Sequence, residues 1–345
     1  MRVLCVTNMY PSAEFPASGT FIHQQIQGLR ELGLDLDLLY VARREKGMKC
    51  YAEVARRLRK HLAEAAPELV HVMYGGIMAK VVSETVTHRP VVVTFHGSDL
   101  LGEPSAGVVR RLLAWAGVRA SLQAALRAAG VVVVSEGVRR ALPANLPAAK
   151  VQVIPCGIDL DRFRPLDRRA CRERLQWSPD RFHVLFQDGN GAPVKRPALA
   201  RAAIAAARAR GLDAELHVLR GVPNEEVPIW LNASAVVLLT SLHEGSPMIV
   251  KEALACDRPI VSVDVGDVAE RLRGIQGCYL ARPEAADLAD KLLLVSEGPS
   301  SVRGRETLTE LSLHRVAVRL KEFYEATVQQ WQPGLLAATC QPARV

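Results

Sequence analysis

The sequence predicts a two-domain α/β protein in which each domain is a mostly parallel sheet layered with helices. Three observations carry this. At 345 residues the chain exceeds what one hydrophobic core usually supports. Short apolar runs alternate with longer amphipathic stretches, first in one half and then in the other. Between the halves, Val151-Gln-Val-Ile-Pro-Cys-Gly-Ile-Asp-Leu-Asp-Arg-Phe-Arg-Pro165 passes from a short strand into a loop bounded by two prolines, a place for the chain to leave one domain.

In the first half, Val3–Val6 reads as a strand, followed by a turn-rich segment to Gly19 and an amphipathic helix from Phe21 to Leu32 that stops at Gly33. Strands follow at Leu36–Val41, Leu69–Met73, Val91–Phe95 and Val131–Val134, with helices at Tyr51–Ala65 and Gly107–Ala129. The second half places strands at His183–Gln187, Ala214–Leu219, Val236–Thr240 and Pro259–Val265. Helices fall at Pro197–Arg210 and Pro247–Ala255. Domains are therefore expected at 1–157 and 158–312. A last helix, 313–330, should return to the first domain, and a flexible tail is expected at 333–345.

Apolar residues at 49% and charged residues at 23% describe an ordinary globular protein. No apolar run approaches the roughly 20 residues that span a bilayer, and the N-terminal apolar stretch is too short for a signal peptide, so a cytoplasmic protein is expected. Seven scattered cysteines without a Cys-x-x-Cys pair argue against a disulfide framework and a zinc site. Residues 1–150 carry 19 Lys and Arg against 12 Asp and Glu, the remainder 25 against 24, so nearly all of the +8 net charge lies in the first half. That asymmetry is either a basic surface for an anionic partner or the drift of an Arg- and Ala-rich sequence. With 5% aromatic residues and no basic-aromatic interleaving, nucleic acid is not an expected partner.

Ligands of open α/β sheets bind beyond the carboxyl ends of the strands, so the loops after each strand are the informative ones. After Val236–Thr240 comes Ser-Leu-His-Glu-Gly-Ser-Pro, with Ser246 suited to a helix N-cap and Pro247 to the first helical position. Free N–H groups at such a terminus suit a diphosphate or a sugar ring, and Gly245 permits close approach. Glu244 precedes this helix and Glu252 lies within it. Taken alone, the pair reads as one dipole partner and one solvated charge. In Gln187-Asp-Gly-Asn-Gly-Ala-Pro-Val-Lys-Arg196, Lys195 and Arg196 stand where the helix dipole is already positive, an arrangement that an anionic ligand would relieve.

His96 falls at the carboxyl end of the strand Val91–Phe95, and Gly19 in the turn after the first strand. Each has a plain structural reading as well as a functional one. Gly189-x-Gly191 is not a dinucleotide fingerprint, because Val194 replaces its third glycine. No Asp-x-Asp stands at a strand end, so neither a metal nor a cofactor is expected.

The stretch Glu244-Gly-Ser-Pro-x4-Glu252-Ala-x-Ala-Cys-x-x-Pro-Ile-Val resembles the Glu-x7-Glu signature of retaining glycosyltransferases of family 4, which have the GT-B fold. Thr7-Asn-Met-Tyr-Pro, Ser18-Gly-Thr-Phe-Ile-His23, Thr94-Phe-His-Gly-Ser-Asp99 and Val153–Pro165 are similar to further family motifs, with Cys156 where asparagine is usual. The resemblance implies two Rossmann-like domains with parallel sheets facing across a cleft, a nucleoside diphosphate sugar as donor, and retention of configuration. It implies that Glu244 holds the donor sugar and Glu252 the ribose. The N–H groups of Ser246, Pro247's neighbour Met248 and Ile249 would surround the sugar and phosphates, His96 would lie beside the reacting sugar, and Gly19 would approach the diphosphate. Asn190 stands at the family's arginine position and Arg196-Pro197 at its Lys-Gly position, so the division of the phosphates between Lys195 and Arg196 stays open.

The acceptor is expected on the first domain, where Arg56, Arg57, Arg59, Lys60, Arg110 and Arg111 would suit a lipid-linked glycan at the inner face of an anionic membrane, as in polysaccharide assembly. Competing readings are another GT-B enzyme, such as a nucleotide-sugar epimerase or a phosphorylase, and a non-catalytic carbohydrate or nucleic-acid binding module.

Overall fold

The computed structural model describes residues 1–332 apart from 13, 16, 17, 103–106 and 190; the expected tail at 333–345 and Asn190 lie outside the described residues. The chain divides into two compact units, one of Met1–Pro155 together with the helix residues from Val316 onward, the other of Cys156–Arg315.

The first unit runs β1 (Arg2–Thr7), α1 (Thr20–Glu31), β2 (Asp35–Tyr40), α2 (Arg43–Lys46), α3 (Cys50–Ala65), β3 (Leu69–Val72), α4 (Ile77–Thr85), β4 (Val91–Phe95), α5 (Ser98–Leu101), α6 (Val108–Arg127), β5 (Gly130–Val133), α7 (Glu136–Arg139) and β6 (Val151–Val153). Its six strands are all parallel, in the order β2-β1-β3-β4-β5-β6. β3 and β4 were expected as successive strands with no helix between them. Parallel neighbours need a crossover, and α4 supplies it, burying Met78, Ala79, Val82 and Ser83. The order reverses between β1 and β3, so the loops after those two strands flank the switch point where a doubly wound sheet binds ligands.

The second unit contains α8 (Arg168–Leu175), β7 (Phe182–Phe186), α9 (Pro197–Ala209), β8 (Ala214–Val218), α10 (Val227–Ala233), β9 (Val236–Leu239), α11 (Met248–Ala255), β10 (Ile260–Val263), α12 (Val268–Leu272), β11 (Tyr279–Ala281) and α13 (Ala285–Glu297). Its parallel order is β11-β10-β9-β7-β8, with the switch between β9 and β7. Successive strand residues feed opposite cores. Val184, Phe186, Val236 and Leu238 pack with Ala200, Ile204, Leu288 and Leu292 on one face, while Leu185, Val237 and Leu239 pack with Leu231, Ile249, Val250 and Leu254 on the other. Burial on both faces is why these strands read as unbroken apolar runs.

The last helix, α14 (Leu313–Gln330), covers the first unit's sheet with Val316, Ala317, Leu320 and Tyr324, against Val92, Val132 and Ile154. Tyr324 is fully buried and its hydroxyl hydrogen-bonds with Nδ1 of His71 on β3 at 2.6 Å, while Nε2 of the same ring lies 2.7 Å from Thr94 Oγ1. Burial pushes His71 down from 6.5 to about 3, so the ring is neutral in the folded protein. An unfolded chain takes up that proton near pH 6.5 and the folded one does not, so stability should fall as pH drops from about 6.5 toward 3. Tyr324→Phe should cost about 1–3 kcal/mol, because Nδ1 is left buried without its hydrogen-bond partner. Thermal melts of the two proteins across this pH range measure both effects.

Candidate functional site

The two loops at the β7/β9 switch point are laced together. Leu242 N–H donates to Val194 O at 2.7 Å, and Thr240 Oγ1 donates to Lys195 O at 2.7 Å. On this frame Lys195 Nζ lies 2.5 Å from Glu244 Oε1, which also accepts from Ser241 Oγ at 2.6 Å, and both members of the ion pair are largely shielded from solvent. Lys195 and Glu244, expected in separate roles, are brought into one contact.

Arg196, one of the two cations between which the phosphate contacts were left open, has its guanidinium on backbone carbonyls. It adopts a left-handed backbone (φ 50°) ahead of α9 and donates from Nε to Thr240 O at 2.5 Å and from Nη2 to Ser241 O at 2.8 Å. Its guanidinium clamps the end of β9, because two carbonyls there point at it where the strand's ladder stops. It is a positioning residue in this arrangement, and Lys195 is left as the cation beside Glu244.

α11 starts at Met248, one residue later than expected. Pro247, with φ −65° and ψ 122°, is its N-cap and offers no side-chain cap. Ser246 was expected to cap this helix; instead its hydroxyl donates to Asp267 Oδ2 at 2.8 Å, and the same oxygen accepts from Arg271 Nε at 3.0 Å. Asp267 is the stronger acceptor, and reaching it turns the hydroxyl away from the helix. The first-turn N–H groups of Met248 and Ile249 therefore have no acceptor within the helix or from a cap, while the Ile249 side chain is sunk in the core. Gly245 is buried against Gly266: a Cβ on Gly266, whose φ is 61°, would stand 2.7 Å from Gly245 O. Gly266→Ala should displace the 244–246 turn and destabilise the protein by about 1–3 kcal/mol, readable in a thermal melt.

Glu252 lies on α11, partly shielded, and its carboxylate has no hydrogen bond or ion pair with any described residue. Burial pushes its carboxyl up to about 7 against the opposing pull of Lys251 and Arg162. Its neighbour Lys251 is buried and donates to Cys156 O at 2.8 Å.

In the first unit, His96 follows β4 as expected. Its Nε2 lies 3.1 Å from Met73 O, and its ring packs on Phe21 and stacks with Tyr74. Asp99 organises this turn, accepting from the N–H groups of His96, Gly97 and Gly75 at 2.9–3.2 Å. Burial nevertheless raises its carboxyl to about 6. Gly19 has φ 66°, and a Cβ there would meet Met9 C and O at 2.5 Å. The glycine is thus required by the backbone after β1, whatever else approaches it.

Ser241, Asp267, Asp99 and the Asp188–Arg220 pair after β7 and β8 were not singled out from sequence. Their signal was position, each falling within a few residues of a strand's carboxyl end. A grouping with metal-type ligands, His183, Glu215 and His217, lies within β7 and β8 and not in these loops. His183 Nε2–H donates to Ser178 O at 2.7 Å, which leaves Nδ1 to accept from His217 Nε2 at 2.8 Å. Trp177 stacks on His217.

Two parallel α/β units, with a lysine, a carboxylate and an uncapped helix start at the second unit's switch point, define the GT-B class, and solved structures bear this out. Sucrose-phosphate synthase of Thermosynechococcus elongatus superposes with a TM-score of 0.81 at 16% identity, over 96% of this chain and 100% of that one. Anabaena HepE, solved with UDP-glucose, superposes with 0.67 at 15%, over 94% and 100%. The family models Glycosyltransferase Family 4 and Glycosyl transferases group 1 match residues 18–162 and 186–297. The chain is a glycosyltransferase belonging to the family 4 type. TuaC of Bacillus subtilis, named as a teichuronic acid biosynthesis glycosyltransferase, is 26% identical over 83% of this chain and 86% of its own length. A D-inositol 3-phosphate glycosyltransferase of Mycobacterium tuberculosis is 29% identical over 46% of this chain and 38% of its own.

Proposed function

We propose that this glycosyltransferase moves a sugar from a nucleoside diphosphate sugar to a hydroxyl acceptor with retention of configuration, in cell-surface glycan assembly at the cytoplasmic face of a membrane. The observation that carries the donor assignment is the Lys195–Glu244 pair beside the uncapped start of α11, with the Glu252 carboxylate partnerless on the same helix. HepE and TuaC support it, one solved with UDP-glucose and the other named for teichuronic acid biosynthesis.

In this reading Glu244 accepts hydrogen bonds from the donor sugar, Glu252 accepts from the ribose, and Lys195 with the amides of Met248 and Ile249 meets the diphosphate. Gly245, Ser246 and Pro247 shape the turn, and His96 and Gly19 serve the reacting sugar and diphosphate from the first unit's loops. No metal is required, since Lys195 and the helix terminus neutralise the leaving group. The bond from the anomeric carbon to the diphosphate breaks while the acceptor oxygen adds on the same face, and the acceptor's proton passes to the departing diphosphate. A lipid-linked glycan is the proposed acceptor.

UDP-, GDP- and ADP-sugars should be screened for thermal stabilisation, and the best donor then assayed with and without glycolipid acceptors. Acceptor-dependent release of nucleoside diphosphate with an unchanged anomeric configuration is expected. Isomerised donor without an acceptor would establish the epimerase reading instead, and no stabilisation by any nucleotide sugar would refute the donor site.

A further inference from the structure

The most exposed apolar side chains are concentrated in one place. Among the described residues, Val108, Val109, Leu112, Leu113 and Trp115 are all exposed, and all lie within the first turns of α6. Isolated exposed apolar residues are ordinary, but five within eight consecutive positions form a patch that needs an occupant.

α6 divides its surface between two tasks. Arg110, Leu113, Ala114, Gly117 and Val118 line a pocket of about 440 Å³, with Arg43 and Tyr51 among its other walls. At 100° per residue, Val108, Leu112 and Trp115 fall on the face opposite those residues. They are 73%, 60% and 60% exposed. Arg119 continues that outward face, with its guanidinium 5.3 Å from the Trp115 ring centroid. Only the later turns are buried in the unit, through Ala120, Ser121, Ala124 and Ala125.

The charge on the helix selects the partner. α6 carries Arg110, Arg111, Arg119 and Arg127 and not one Asp or Glu. Valine, leucine and tryptophan facing outward among arginines, on a helix anchored only by its far end, match the chemistry of an anionic bilayer surface. The apolar side chains enter the acyl boundary, the tryptophan sits at headgroup depth, and the arginines meet lipid phosphates. We infer that the outward face of α6, through Val108, Leu112, Trp115 and Arg111, docks the protein on an anionic lipid bilayer. This deepens the membrane part of the proposed function and rests on it for its purpose, while standing on its own observations. It gives the pocket behind α6, with Arg43 and Arg110 at its wall, a membrane-borne ligand to receive.

The full chain should be floated with phosphatidylcholine vesicles with and without phosphatidylglycerol, alongside the double variant Leu112→Ser/Trp115→Ser. Binding is expected only with the anionic lipid, weakened about tenfold or more by the double variant and by high salt. Tryptophan emission should shift to the blue on binding in the parent and not in Trp115→Phe. The substituted residues are exposed, so melting temperatures should be unchanged. Equal binding of parent and double variant, or no binding by the parent, would overturn the inference. So would a lipid-free dimer abolished by the double variant, which would make a second copy the occupant. Donor-induced thermal stabilisation separates the two readings: its absence in both proteins refutes the donor site and leaves vesicle binding to be judged by itself.

Discussion

Glu244→Gln is expected to lower kcat/KM for glycosyl transfer by about 10²–10³-fold, the scale on which removing one preorganised charged contact acts. Glu244 Oε1 is the meeting point of Lys195 and Ser241, and glutamine keeps the shape while losing the charge. Lys195 then faces the diphosphate without its partner, so donor affinity should change much less than turnover. Steady-state kinetics beside calorimetric titration of the donor separate the two. A variant with parental turnover would remove Glu244 from the reaction, and an unfolded one would be exposed by its melting curve.

Donor binding should also strengthen as pH rises from about 6 to about 8, and Glu252→Gln should remove this dependence while weakening binding about 10–100-fold. The cause is the carboxyl held up to about 7 by burial: ionised, it is an acceptor-only group matched to ribose hydroxyls, and those bonds favour the charged form. Without donor the sign for stability runs the other way from His71. The folded protein retains the Glu252 proton between about pH 4.5 and 7 while the unfolded chain releases it, so this stabilising contribution is complete below 4.5 and lost as pH rises through 7. Calorimetry of parent and variant at several pH values measures the linkage. A parental affinity that does not vary with pH would sink the assignment of Glu252 to the ribose.

Much of the fold was legible because the inner strands of a doubly covered parallel sheet are apolar on both faces, and Val91–Phe95 or Val236–Leu239 leave no other reading. α4 was passed over because Ile77–Thr85 is rich in β-branched residues and short, so its crossover role shows only once β3 and β4 are seen side by side. β11 and α13 were missed for a related reason: Tyr279–Ala281 is a three-residue edge strand, too short for a pattern.

At the second unit's switch point, Lys195 and Glu244 were both picked out from sequence, but not that their side chains meet. Ser246 looked like a cap because caps are local, and Asp267, which takes its hydroxyl, lies beyond the next strand. The contacts of Arg196 with the carbonyls of Thr240 and Ser241 were not legible, because they join loops 44 and 45 residues apart in the chain. α6 shows almost no single amphipathic face, since one side lines a pocket, the other is apolar and exposed, and only its end enters the core.

The contact between His71 and Tyr324 bears on how the protein is made. The first unit begins with β1, yet the helix that closes its sheet is translated only after the whole of the second unit. On the ribosome, His71, Val92 and Ile154 must wait uncovered through the synthesis of 160 intervening residues, Cys156–Arg315, while the second unit is complete as soon as it emerges. The half-made first unit is the stage at which a nascent chain would most need a chaperone, and release from the ribosome is the event that lets it close.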